Sequence, residues 1–156
     1  GSQQPRTTFR SVPVTWCPGA PRLGTVPRIS MTSVHVDDQE RALRFYTDIL
    51  GFDVKVDIPV GDFRWLTVVD PDDPDGTQLL LEPDQHPAAR AYVAALRADG
   101  IPAAQFEVSD IQQVHEQLID RGATITQPPT EMGPVWTMLV DDTCGNLIQL
   151  ATSPEM

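Results

Sequence analysis

Residues 36–56, VDDQERALRFYTDILGFDVKV, decide the fold. Asp37 or Asp38 supplies a helix cap, and Ala42, Leu43, Phe45, Tyr46 and Leu50 then recur at helical spacing as one apolar face. Gly51 stops the helix, and the alternation of FDVKV begins a strand. Residues 108–126, VSDIQQVHEQLIDRGATIT, repeat the same order of signals, with Ile111, Val114, Leu118 and Ile119 as the apolar face. A pattern that recurs within one chain points to an internal duplication.

Working outward from the first copy, ISMTSVHV at 29–36 alternates as a strand before the helix. After it come FDVKVDI, a turn at Gly61, FRWLTVVD, a Pro/Asp/Gly loop at 71–76, and TQLLLEP. The unit is βαβββ and spans 29–84. A helix from Pro87 to about residue 99 links it to the second unit, 101–152, which reads IPAAQFEV, the capped helix, ATITQ, PVWTMLVDD and GNLIQLAT. Trp65 and Trp136 recur in the fourth element of each copy. The expected fold class is α+β, with two tandem βαβββ modules forming a curved mixed sheet around a cleft, in one domain covering 29–152.

The segment before residue 29 differs in character. Residues 1–36 carry Arg6, Arg10, Arg22 and Arg28 and no acid, so the rest of the chain holds all 22 acids against seven bases. Gly1-Ser2 reads as an expression scar, and Pro5, Pro13, Pro18, Pro21 and Pro27 mark 1–28 as an irregular basic tail. An organelle transit segment, or a translation start at Met31, fits the same composition.

A net charge of −11 argues against nucleic acid as a partner, because phosphate contacts need clustered Lys and Arg. No run is long and apolar enough for a membrane span or a secretory signal. Cys17 and Cys144 match no metal spacing and are too few for a disulfide framework, which suits a reducing cytoplasm. Neither cysteine has an activating neighbour in sequence, and neither is assigned a role.

VDDQERALRFYTDILGF and the closing run DDTCGNLIQL at 141–150 resemble the vicinal oxygen chelate superfamily, which includes glyoxalases, bleomycin-resistance proteins and extradiol dioxygenases. The resemblance covers about 29–152 and implies paired modules enclosing a cleft, with four metal ligands in the active enzymes. The family positions fall here on Met31, on one of Leu79, Leu80 or Glu82, on Ala103 and on Gln149. Those residues are not the imidazole and carboxylate set that Zn, Ni, Mn or Fe demands, so no metal site is expected.

If Met31 faces the cleft, period two puts Ser33 and His35 on the same face, and repeat symmetry adds Ala103, Gln105 and Glu107. Trp65, Glu82, Trp136 and Gln149 complete the expected ligand-binding set. Each has a plainer reading: His35 as a bonded histidine within the sheet, Glu82 and Glu107 as solvated ends of strands, the tryptophans as core, and Gln149 as a bonded core amide. His35 is the single catalytic candidate, as a general base.

The leading expectation is a metal-free protein that sequesters a small cationic or aromatic ligand, in the manner of bleomycin-resistance proteins, and works as a homodimer. The alternative is a glyoxalase-like lyase, isomerase or dioxygenase using a divalent metal as Lewis acid. A second alternative is a non-catalytic partner subunit that keeps the fold and exposes a large apolar patch.

Overall fold

The computed structural model describes residues 19, 21 and 23–154. The first copy runs β1 (Met31–Val36), α1 (Gln39–Arg44), β2 (Asp53–Val60), β3 (Phe63–Val69) and β4 (Gln78–Pro83). Helix α2 (Pro87–Ala98) connects it to β5 (Ala104–Glu107), α3 (Ile111–Asp120), β6 (Thr124–Met132), β7 (Val135–Asp141) and β8 (Leu147–Ala151). Both copies are βαβββ units of mixed sheet, with strand orders β1-β4-β3-β2 and β5-β8-β7-β6. The first and last strands of each unit pair in parallel and the rest antiparallel. The strands thus form two four-stranded mixed sheets, one in each copy. Of the proline-rich leader, Cys17 and the Gly1-Ser2 scar lie outside the described residues. Residues 23–28 form neither helix nor strand.

The caps form as their sequences dictate. Asp38 Oδ1 accepts from the Arg41 amide at 3.0 Å, and Asp110 Oδ1 accepts from the Gln113 amide at 3.1 Å. The stops at Gly51 and Gly122 need glycine, since φ is 88° and 78° there. Two elements depart from expectation. After Arg44 the first helix widens into a π-helical turn, Phe45–Ile49, and β6 runs on to Met132 through Pro128 and Pro129, beyond the Gln127 limit that its prolines suggested. It is an edge strand with register shifts, where a missing amide costs no ladder bond.

Strand alternation divides each sheet into two faces. Val34, Val36, Leu66, Val68, Leu79 and Leu81 of the first copy join Met138, Val140, Ile148 and Leu150 of the second in one core, covered by the helices. Gln39 locks α1 to this sheet: its Nε2 donates to the Arg64 and Leu81 carbonyls at 2.7 and 2.9 Å, and its Oε1 accepts from the Arg64 amide at 3.0 Å.

One buried carboxylate joins the copies. Asp142 accepts from the Tyr46 hydroxyl at 2.8 Å, from the Cys144 and Asn146 amides at 2.7 and 2.9 Å, and from Asn146 Nδ2 at 2.8 Å. Asn146 Nδ2 also donates to the His35 carbonyl at 2.8 Å. Removing the Tyr46 hydroxyl subtracts one donor from a fully buried acceptor. Chemical denaturation of Tyr46→Phe is therefore expected to report a loss of about 1–3 kcal/mol. Tyr92→Phe, at an exposed tyrosine, is expected to leave stability unchanged.

Candidate functional site

The faces turned away from the helices carry the expected site residues except Trp136. In β1 the alternation buries Val34 and Val36 and leaves Met31, Ser33 and His35 on the open face. Register carries that face across the sheet: Met31 lies opposite Gln78, Ser33 opposite Leu80, and His35 opposite Glu82. Leu80 in turn lies opposite Thr67, and Trp65 opposite Ile58. Of the three residues between which sequence could not choose, Leu79 belongs to the core face, and Leu80 and Glu82 to the open one.

His35 and Glu82 meet. Nε2 of the imidazole is 3.4 Å from Glu82 Oε2, and the two side chains are 31% and 43% exposed. Glu82 is therefore not simply a solvated end of a strand. Beside it, Val60, Phe63, Trp65, Leu80 and Pro83 line a depression of about 240 Å³. Arg64 adds no positive charge to this floor, because its guanidinium is held by Asp57 at 2.7 and 3.0 Å and by Glu40 at 2.6 Å. The result is an aromatic and aliphatic wall beside a half-exposed carboxylate.

The second copy presents a different floor. Gln105 lies opposite Gln149, and Gln149 Nε2 donates to Gln105 Oε1 at 2.6 Å. Glu107 lies opposite Ala151 and accepts from the Ser153 hydroxyl. Trp136 needs correction as the partner of Trp65. It falls on the same parity as Met138 and Val140, which face the core, so the true counterpart of Trp65 is Thr137. An offset of one residue reverses the face of a strand side chain. Trp136 meets Glu107 only at the open end of the sheet, in a broad concavity that Glu131 and Ser153 share.

Sequence reasoning missed two polar residues of the open face, Thr67 and Gln78. The Thr67 hydroxyl donates to Gln78 Oε1 at 2.7 Å. The signal was present, since stepping back by twos from Glu82 reaches Leu80 and then Gln78.

The donor set does not fit the family's metal. His35 and Glu82 supply one imidazole and one carboxylate, already engaged with each other, and the facing pair on the second copy's floor, Gln105 and Gln149, is two amides. Glu107 does not join His35 and Glu82; among the described residues no three His, Cys, Asp or Glu side chains converge.

Comparison with known proteins gives a consistent set of relatives. The profile of the Glyoxalase/Bleomycin resistance protein/Dioxygenase superfamily matches residues 28–150. The Bacillus subtilis (strain 168) protein YurT is 53% identical over 123 residues, which cover 79% of this chain and 97% of YurT. Among solved structures, UcmS2 superposes with a TM-score of 0.71 at 30% identity, covering 83% of this chain and 100% of UcmS2. TnmS3, an antibiotic binding protein from Streptomyces sp. CB03234, superposes at 0.66 with 25% identity, covering 83% of this chain and 98% of TnmS3.

The thiol of Cys144 sits beside the interface between the copies but is a poor nucleophile. Burial, and next the charge of Asp142, push it up to about 12, and its Sγ donates to the Asp38 carbonyl at 3.6 Å. The shift cuts the thiolate fraction by about a hundredfold or more at pH 8. In a Cys17→Ser variant, iodoacetamide labelling of Cys144 is expected to be slower by at least that factor in the native protein than in denaturant, as followed by mass spectrometry.

Proposed function

Because the chain belongs to the glyoxalase/bleomycin resistance protein/dioxygenase superfamily, we propose that it binds a small organic ligand on its open sheet faces, without metal, and works by sequestration. The observation that carries this reading is the Trp65 and Phe63 wall beside the His35–Glu82 pair. A flat cation would stack on Trp65 and bring its charge to Glu82, two interactions that reinforce each other in a partly desolvated site. The chain's net charge of −11 favours the approach of such a ligand. The antibiotic-binding description of TnmS3 supports the same class of role.

On this reading the protein acts as a homodimer in the cytoplasm. Ile58 and Val60 are 55% and 58% exposed and continue the apolar strip of Phe63 and Trp65, a surface that a second copy would cover. No helix among the described residues is long and apolar enough to cross a membrane. The lyase or dioxygenase alternative asks for a chelating set that His35, Glu82, Gln105 and Gln149 do not make.

Three measurements test the reading. Titration with a cationic acridine, followed by tryptophan fluorescence and calorimetry, is expected to give saturable binding that weakens about tenfold in Trp65→Ala and in Glu82→Gln. Binding of equal strength in both variants would remove the stacking-and-charge account. Elemental analysis after incubation with Zn, Ni, Mn or Fe salts is expected to find less than about a tenth of an equivalent bound; a full equivalent would restore the metalloenzyme alternative. Light scattering is expected to report twice the chain mass, with Ile58→Asp shifting the population to monomer.

A further inference from the structure

On the helix side of the sheets, where the two copies meet, lies a cavity of about 160 Å³. Ile49, Leu50 and Phe52 wall it from the first copy, and Phe106, Val114 and Leu118 from the second, all of them packed into or against the core. An apolar void of about 150 Å³ holds a benzene ring, so this one has room for a single ring. Phe52 and Phe106 stand edge to face, with ring centroids 5.3 Å apart, and give that ring an aromatic wall. Glu107 also borders the cavity, but strand alternation turns its side chain to the open face, where it accepts from the Ser153 hydroxyl.

The helical period of α3 sets what stands at the mouth. Val114, Gln117, Leu118 and Arg121 recur at i, i+3, i+4 and i+7 on one face; Val114 and Leu118 lie inward, and the exposed Gln117 and Arg121 form the rim. Arg121 is anchored there, since its Nη1 donates to the Ile49 carbonyl at 2.8 Å. Among the described residues its Nε and Nη2 have no acceptor and no carboxylate pairs with it. Those two donors form the side-on fork with which Arg64 holds the Asp57 carboxylate, at 3.0 Å from Nε and 2.7 Å from Nη2. A ring-sized apolar cavity therefore opens beside an arginine that is fixed in place and keeps its carboxylate-binding edge.

We propose that this cavity binds a small aromatic monocarboxylate, with the ring against Phe52 and Phe106 and the carboxylate in the Nε–Nη2 fork of Arg121. A planar carboxylate meets the fork with two parallel N–H···O bonds. An amide of the same shape offers one acceptor and turns an N–H toward a donor. An exposed ion pair alone contributes little, so ring and charge are both required. The chain's net charge of −11 disfavours anions at a distance, but salt screens that field over about 8 Å, and contact with Arg121 acts inside this range. The site lies on the opposite side of the sheets from Trp65 and Glu82, and the inference stands whether or not a cation binds there.

The test titrates the full chain, labelled at its Ile, Leu and Val methyl groups, with phenylacetate, phenylacetamide and acetate, followed by NMR. Phenylacetate is expected to shift the methyl signals of Ile49, Leu50, Val114 and Leu118 with an affinity about tenfold above that of phenylacetamide. Acetate, which lacks the ring, is expected to give no saturable shift. Arg121→Gln is expected to bring phenylacetate down to the level of phenylacetamide, and Val114→Phe, which fills the cavity, to abolish binding of both. Thermal unfolding identifies the variants that stay folded, and the comparison of probes on the unaltered chain decides the matter if either does not. Equal affinities for the two ring probes, shifts confined to the open face, no saturable shift with phenylacetate, or phenylacetate affinity unchanged in folded Arg121→Gln would overturn the inference.

Discussion

The structure turns on the Asp142 carboxylate. It is fully buried, no cation among the described residues pairs with it, and it is held by four donors. Burial pushes its carboxyl above the usual range while the Asn146, Cys144 and Tyr46 bonds pull it down. Since every partner is a donor, the arrangement suits the ionised form, which accepts at both oxygens. Three of the bonds shape the turn between β7 and β8, where Thr143 sits at φ 67°. A β-branched residue in that region costs about 1–3 kcal/mol and persists only where its surroundings over-determine it. The fourth bond reaches Tyr46 in the other copy, so the closing turn of one module and the helix of the other are fixed by the same group.

That bond explains the π-helical turn. Phe45 and Tyr46 are consecutive, yet both are buried, with rings edge to face at 5.1 Å. A regular α-helix separates consecutive side chains by about 100°, which suits one of two large rings to a narrow core stripe but not both. Widening the turn accommodates both rings and leaves the Tyr46 hydroxyl within reach of Asp142. Once the helices are committed to the inner faces, Met31, Ser33, His35 and Trp65 are left outward, and the open face is the remainder of the core.

Sequence made this architecture legible because its evidence is local. Caps at Asp38 and Asp110, stops at Gly51 and Gly122, and periodic apolar residues all act within one element, so each element could be read alone. The outward set of β1 followed from alternation anchored at one residue. What failed needed register between strands. Trp136 was matched to Trp65 by element rather than by residue, and one position of error moved it to the other face. Gln78 could be reached by counting back in twos from Glu82, but only once the pairing of Glu82 with His35 had put that parity on the open face. Asp142 read as one of many acids in an acidic chain, and nothing local distinguishes it from Asp141, which pairs with Arg97 at 2.7 Å near the surface.

Aligning the copies by register rather than by element shows where they have diverged. Ser33, Leu80 and Thr67 lie in one row across the first sheet, and Gln105, Gln149 and Leu139 in the matching row of the second. The core-facing positions correspond apolar to apolar: Val34 to Phe106, Leu66 to Met138, Val68 to Val140, Leu79 to Ile148 and Leu81 to Leu150. On the open face the correspondence breaks, with His35 matched by Glu107, Glu82 by Ala151, Leu80 by Gln149 and Trp65 by Thr137. Packing demands explain why the inner face stayed uniform, because a polar group there would lose its water without gaining partners. The open face mixes exposed residues such as Trp65 with buried ones such as Thr137 and Ala151, and it is there that the two copies differ. A charged, aromatic floor on one module and a neutral amide floor on the other make the two open faces chemically unlike, although the cores behind them match position by position.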